Sequence, residues 1–289
     1  MVEEYKTGRI VVPAAEEVLG KRFDCLDHGF VRLVDYMGGD EAIVQAARVS
    51  YGKGTKSTSE DRGLIRYLMK HKHTTPFEMV EMKWHCKMPI FVARQWIRHR
   101  TANVNEYSMR YSESKNEFYV PELENVRYQS GMNKQGGSDK EMPETVSETV
   151  SKIIKRTNEQ TTKDYNLMNK VGIARELSRV VLPTSAYTEW YWKNDLHNTL
   201  HFLRLRMDKH AQYEIRVFAD AMADVVKKVA PMAYEAFEDY VVNSVNFSPE
   251  EQTALSRILK GEDRDSVLEG IKNKRERKEF DVKLEDFLN

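Results

Sequence analysis

Between Val80 and Met88 the chain alternates: Val80, Met82, Trp84, Cys86 and Met88 are apolar, and Glu81, Lys83, His85 and Lys87 between them are polar. A period of two is that of a strand with one buried face, so this segment is predicted as a strand with Cys86 inside. Two more extended segments are read at Glu117 to Pro121 and at Tyr187 to Trp192. Elsewhere the period lengthens to that of a helix. Val146, Val150, Ile153, Ile154, Tyr165 and Met168 are predicted to track one buried face, and Ile215, Phe218, Met222, Val225, Val226 and Val229 another. Helices outnumber strands, which predicts an α+β fold with segregated elements.

A third helix is read from Pro89 through Ile90, Phe91, Val92, Ala93, Arg94, Gln95, Trp96 and Ile97, with proline at its start. Where this apolar stretch stops, the chain turns polar: of the fourteen residues from Arg98 to Tyr111, eleven carry hydrogen-bonding side chains. Arg98, His99, Arg100 and Arg110 face a single carboxylate in that segment, Glu106. Mixed charges at such spacing are most often a solvated helix face. Here the run emerges from a buried helix, and its surplus of positive charge suits a phosphate-bearing ligand.

Two segments read as peripheral. From Arg127 to Glu144 the chain is polar and Gly-rich around Gln129 to Asp139, as in a mobile surface loop. From Asn246 to Asn289 it becomes a charged helical extension, separate from a catalytic domain over residues 1–245. Ser248, Pro249 and Glu251 have the form of a capped helix start, and the run from Ile271 to Glu279 that of a solvated helix; no chemistry is assigned to either.

Composition narrows the classes. With 289 residues, 40% of them hydrophobic, the chain is long enough for a substantial core. Lys and Arg number 45 and so do Asp and Glu, so no whole-molecule field draws in nucleic acid or an anionic membrane. Cys25 and Cys86 form no Cys-x-x-Cys pair, and no apolar run is long enough to span a bilayer, which points to a reducing cytoplasm. Cys86 is read as a small buried hydrophobe rather than a nucleophile.

Arg98-His99-Arg100, seven residues, then Ser108 resembles the signature of the flavin-dependent thymidylate synthases, the ThyX family. The resemblance extends through Thr75-Pro76-Phe77-Glu78, the segment Pro89 to Trp96, Arg179-Val180-Val181-Leu182-Pro183 and Leu205 to Gln212, in colinear order over roughly residues 30 to 240. It implies a central, mostly antiparallel sheet with packed helices, and a homotetramer whose sites are assembled from several chains. It also implies the reaction: dUMP becomes dTMP, with methylenetetrahydrofolate as carbon donor, FAD as cofactor and NADPH as reductant.

By the same resemblance the flavin contacts are Ser50, His73, Thr75, Glu78, Arg98, His99, Arg100, Asn105, Glu106, Asp195, His197, His201 and His210, and the dUMP contacts Gln95, Glu106, Ser108, Arg110, Arg179 and Arg206. Arg206 is the catalytic entry, placed against the uracil ring to stabilise the charge that develops there. Arg110 and Arg179 suit a phosphate, with Ser108 adding a hydroxyl donor. Ser108 is read as a positioning group because no adjacent base is evident. Asp195, His197 and His201 stand where many members of the family carry Asn, Arg and Asn, so the chain departs from the pattern there.

Other readings fare worse. Neither a Gly-x-Gly-x-x-Gly after a strand nor a P-loop spacing around Gly52 to Ser57 is present, so side chains must hold any nucleotide phosphates. The eight histidines lack His-Glu-x-x-His spacing, so no metal is expected. The rival is an RNA- or nucleotide-binding module, in which the Arg run meets backbone phosphate while Tyr107, Tyr111 and Tyr119 stack on bases.

Overall fold

The computed structural model describes residues 8–49, 58–130, 136–138 and 140–288. Among them, five strands form one sheet: β1 (Phe23–Cys25), β2 (Gly29–Met37), β3 (Glu81–Pro89), β4 (Asn103–Glu106) and β5 (Tyr187–Asp195). The order is β1-β2-β3-β5-β4, with every neighbouring pair antiparallel. The helices are α1 (Pro13–Glu16), α2 (Asp40–Val49), α3 (Thr58–Lys70), α4 (Ile90–Trp96), α5 (Glu144–Lys170), α6 (Arg175–Ser178), α7 (Leu196–Arg206), α8 (Tyr213–Val229), α9 (Pro231–Phe237), α10 (Pro249–Leu259), α11 (Arg264–Glu269) and α12 (Lys274–Leu288). The chain divides into two compact units, Met1–Phe237 and Glu238–Asn289.

The alternation in β3 does what its period demands. Met82, Trp84, Cys86 and Met88 are fully buried, and Trp84 lies opposite Trp192 of β5, which alternates in the same way. Each large apolar side chain so buried contributes roughly 1.5–3 kcal/mol. Burial pushes the Cys25 thiol up to about 12 and raises Cys86 well above the usual thiol range, so both are inert packing groups. On the opposite face Arg32 Nη2 donates to His85 Nδ1 at 2.6 Å, and His85 Nε2 in turn donates to Glu189 Oε2 at 2.9 Å. An arginine has no acceptor, so this histidine carries its proton on Nε2.

The buried face of the sheet receives α4, α7 and α8. In α8 every residue of the predicted stripe, Ile215, Phe218, Met222, Val225, Val226 and Val229, is fully buried. Helix α4 starts at Pro89 with no side-chain cap; instead Ile90 and Phe91 donate their amides to the carbonyls of Ala186 and Thr184, at 2.9 and 3.0 Å. Those donors would otherwise be orphaned.

Two expectations need correcting. Helix α5 forms as predicted, but its buried residues are Ser147, Ser151, Asn158 and Tyr165, while Val146 and Ile153 are exposed. At 100° per residue those two lie about 115–135° away from the buried line, and among the described residues nothing covers them. Glu117 to Pro121 contributes one bridge, Phe118 to Ala186, rather than a strand. The Val120 amide turns to Asp27 Oδ2 at 3.0 Å, and Pro121 has no amide to continue a ladder. In the Gly-rich insertion the described ends pair: Ser138 N donates to Tyr128 O at 2.8 Å and Ser130 N to Gly136 O at 3.0 Å. Residues 131–135 and 139 of that insertion lie outside the described residues.

The unit Glu238–Asn289 is helical and has its own core, in which Ala254, Val267, Leu268, Ile271, Phe280 and Leu284 pack together. Its first long helix, α10, begins with the predicted capping box: Glu251 N donates to Ser248 Oγ at 3.3 Å, and Ser248 N donates to Glu251 Oε2 at 2.6 Å. Lys283 of α12 holds the other oxygen of Glu251 at 2.7 Å. Substituting Ser248→Ala should destabilise this unit by about 1 kcal/mol. Amide exchange in the first turn of α10 is expected to quicken about fivefold; unchanged exchange there would show that the cap carries no such weight.

Candidate functional site

Trp96, the last residue of α4, is fully buried and stacks on Phe202 of α7 with ring centroids 4.6 Å apart. Trp192 and Trp190 of β5 meet the same indole edge-on at 5.5 and 5.6 Å. The cluster fixes the C-terminal end of α4 against that of α7. Past Trp96 the chain turns sharply, with the His99 amide on the Trp96 carbonyl at 2.9 Å, and the cationic run begins.

At this junction Gln95, His99, His201 and Arg206 come together. Arg206 Nε donates to His99 Nε2 at 3.2 Å, and its Nη2 donates to the Gln95 carbonyl at 3.4 Å. That carbonyl belongs to the last turn of α4, where a cation is electrostatically favoured. The His99 ring stands edge-on to Phe202 at 5.0 Å and to His201 at 5.6 Å. Burial, then the Arg206 and His201 charges, lower the His99 pKa to about 4, so the imidazole is neutral at pH 7. Burial also lowers the pKa of Arg206 from the usual guanidinium range.

Behind Gln95 runs a chain of polar groups absent from the sequence reading. The Gln95 amide donates to Gln212 Oε1, Gln212 Nε2 donates to Glu214 Oε2 at 2.8 Å, and Tyr119 donates its hydroxyl to Glu214 Oε1 at 3.2 Å. A carboxylate only accepts, so Glu214 sets the direction of every bond in the series. The signal available was the position of Gln212 as the last residue of the Leu205 to Gln212 motif, just before α8.

A second group forms where the loop after β4 meets α6. Arg110 pairs with Glu176 at 3.3 Å, Arg175 donates to the Tyr111 carbonyl at 3.0 Å, and Arg179 follows in the 3-10 turn Arg179–Val181. Ser108 Oγ accepts from the Arg110 amide at 3.3 Å and bonds to no histidine or carboxylate among the described residues. Arg98, Arg100 and Arg179 are exposed and make no ion pair or side-chain hydrogen bond with described residues.

The remaining predicted residues are more scattered. Asn105 and Glu106 point to opposite faces of β4, and Glu106 Oε1 takes the hydroxyl of buried Thr188 at 2.7 Å. Thr75 and Glu78 lie in the 3-10 turn Thr75–Met79, which packs against α7, and His73 precedes it with its ring 6.0 Å from Tyr67. Asp195 caps α7, one oxygen on the Asn198 amide at 2.8 Å and the other on the Asn198 side chain at 2.6 Å. His197 sits one turn before His201 and helps to lower its pKa, after burial and Arg204. His210 pairs with Asp208 at 2.9 Å in the exposed link to α8, apart from the other groups. Ser50 falls outside the described residues.

The cationic segment is open on its solvent side. A cavity of about 630 Å³ near the start of α5, lined among others by Glu124, Arg127, Lys140 and Ser147, contains none of these residues. Among the described residues no group of three or more His, Cys, Asp or Glu is placed to hold a metal ion, and no helix is long and apolar enough to cross a membrane.

Residues 32–232 match the family model described as thymidylate synthase complementing protein. A flavin-dependent thymidylate synthase of Ehrlichia ruminantium is 55% identical over 262 residues, covering 91% of this chain and 88% of the relative. One from Rickettsia prowazekii is 52% identical over 286 residues, covering 95% and 97%. Among solved structures, a UMP/dUMP methylase PolB from Streptomyces cacaoi bound with 5-Br dUMP is 33% identical, with a TM-score of 0.68 over 76% of this chain and 98% of that one. On sequence and fold together, the chain belongs to the flavin-dependent thymidylate synthase family.

Proposed function

We propose that this chain is an FAD-dependent thymidylate synthase that converts dUMP to dTMP, with methylenetetrahydrofolate as carbon donor and NADPH as reductant. The observation that carries the reading is a set of guanidinium groups, Arg98, Arg100 and Arg179, that no described carboxylate neutralises, in a chain 55% identical to enzymes of that name. Anionic ligands are what such groups lack. FAD, when bound, supplies the reducing equivalents that turn the transferred carbon into a methyl group.

The residues of the chain contribute binding, orientation and charge. Arg98 and Arg100 suit the flavin diphosphate, and the turn holding Thr75 and Glu78 packs on α7, the helix that carries Arg206. Arg110 and Arg179, with the Ser108 hydroxyl, suit the dUMP phosphate. Arg206, braced on His99 and Gln95, is the group to stabilise negative charge on the pyrimidine as its C5 is made nucleophilic. Such a fixed donor lowers the barrier without reorganising during the reaction.

Assembly into a homotetramer fits the same picture. Val146, Ile153, Leu167, Leu177 and Val180 stand exposed along α5 and the turns after it, an apolar surface of the kind that a second chain covers. An open-sided cationic segment is likewise a site for several chains to complete. A cytoplasmic setting is consistent with Cys25 and Cys86, both free and buried.

The RNA-binding alternative loses its stacking platform. Tyr119 is buried against Phe91, its hydroxyl on Glu214, and Tyr107 donates to the Glu113 carbonyl, which leaves Tyr111 as the freely exposed ring of the three.

Purified protein should be yellow, and dUMP should be required for folate-dependent oxidation of its reduced flavin; a colourless protein that binds RNA with a steep salt dependence would overturn the reading. Arg98→Ala should lose most of the flavin absorbance. Arg179→Ala should retain it while KM for dUMP rises roughly tenfold or more, the loss of a charge-assisted contact. Light scattering should give a particle of four chains of 33.8 kDa.

A further inference from the structure

Arg206 is an obligate donor, so the His99 Nε2 that receives its Nε–H at 3.2 Å must present a lone pair. An imidazole has only one such site when neutral, and the proton then resides on Nδ1. Among the described residues nothing accepts from Nδ1, although the ring is half-buried. Phe202 and His201 stand edge-on to it at 5.0 and 5.6 Å and oppose a ring flip that would exchange the two sides. The histidine therefore offers one committed acceptor and one uncommitted donor, held in fixed directions.

We propose that His99 is a positioning residue that couples the two ligands: its Nε2 holds the Arg206 guanidinium for the pyrimidine, while its Nδ1–H is the donor reserved for an acceptor atom of the flavin. The inference rests on the reading of the site as one for FAD and dUMP. It adds a mechanical link between them, because seating the flavin on Nδ1 orients the ring whose other nitrogen steadies Arg206. The neutral state of the ring supports it, since a protonated His99 would offer Arg206 no lone pair. Gln95 braces the same guanidinium only through its backbone carbonyl, so no side chain but His99 is bonded to it among the described residues.

The two nitrogens can be separated by substitution. An asparagine at position 99 places its amide near the Nδ1 position, and a glutamine reaches toward Nε2. In the full-length protein, His99→Asn should keep FAD, read from the flavin spectrum, while dUMP affinity, read from the spectral shift on titration, falls roughly tenfold or more for one lost charge-assisted bond. His99→Gln should show the converse, with weakened FAD and near-normal dUMP affinity once FAD is supplied in excess. Opposite losses support the proposal. Parallel losses of both ligands, with a lowered melting temperature or without one, or no loss of either, would overturn it. Wild-type protein that binds neither FAD nor dUMP would instead sink the functional reading beneath it.

Discussion

The stack of Trp96 on Phe202 is the contact on which the site geometry depends. It joins the end of α4 to the last turns of α7, and those two helices come from parts of the sequence more than a hundred residues apart. Once the rings are seated, the residues that follow them, His99 beyond Trp96 and Arg206 beyond Phe202, meet as a matter of chain geometry. The apolar cluster thus serves a polar end: it buries enough surface to hold two helix C-termini together, and the exposed carbonyl dipoles there favour a cation. Arg206 is that cation, bonded to a helix carbonyl on one side and to an imidazole on the other.

Beyond this junction the site is built on electrostatic imbalance. Within the chain as a whole positive and negative charges cancel, yet in the segment from Arg98 to Arg110 the guanidinium groups of Arg98 and Arg100 meet no carboxylate among the described residues, while several carboxylates are engaged by other groups. Glu106 is taken up by Thr188, Glu176 by Arg110, Glu214 by Gln212 and Tyr119, and Asp195 by the start of α7. Local partnering of these acids keeps them from neutralising Arg98 and Arg100.

Much of this was legible in the sequence, for reasons that differ by element. The strand Glu81–Pro89 and the helix Tyr213–Val229 declared themselves because each buries one apolar face inside this chain, and period alone reports that. Pattern failed for Glu144–Lys170, whose inward residues Ser147, Ser151 and Asn158 are polar and whose outward Val146 and Ile153 are not, so apolar period and buried face do not coincide there. It failed also at Glu117 to Pro121, where side-chain demand from Asp27 and a proline overrode an extended tendency. The cationic motif was visible because its residues are adjacent. The series Gln95, Gln212, Glu214, Tyr119 was invisible because only the folded backbone makes its members neighbours.

The way α4 is capped has a kinetic corollary. Its first two amides bond to the carbonyls of Thr184 and Ala186, and β3 pairs residue by residue with β5, so both halves must close a loop of about a hundred residues before either is complete. Closure entropy makes such non-local pairing slow relative to the formation of the helices within the loop. A nascent chain therefore cannot bring His99 and Arg206 together until residues up to Arg206 have left the ribosome and α7 has packed beside α4.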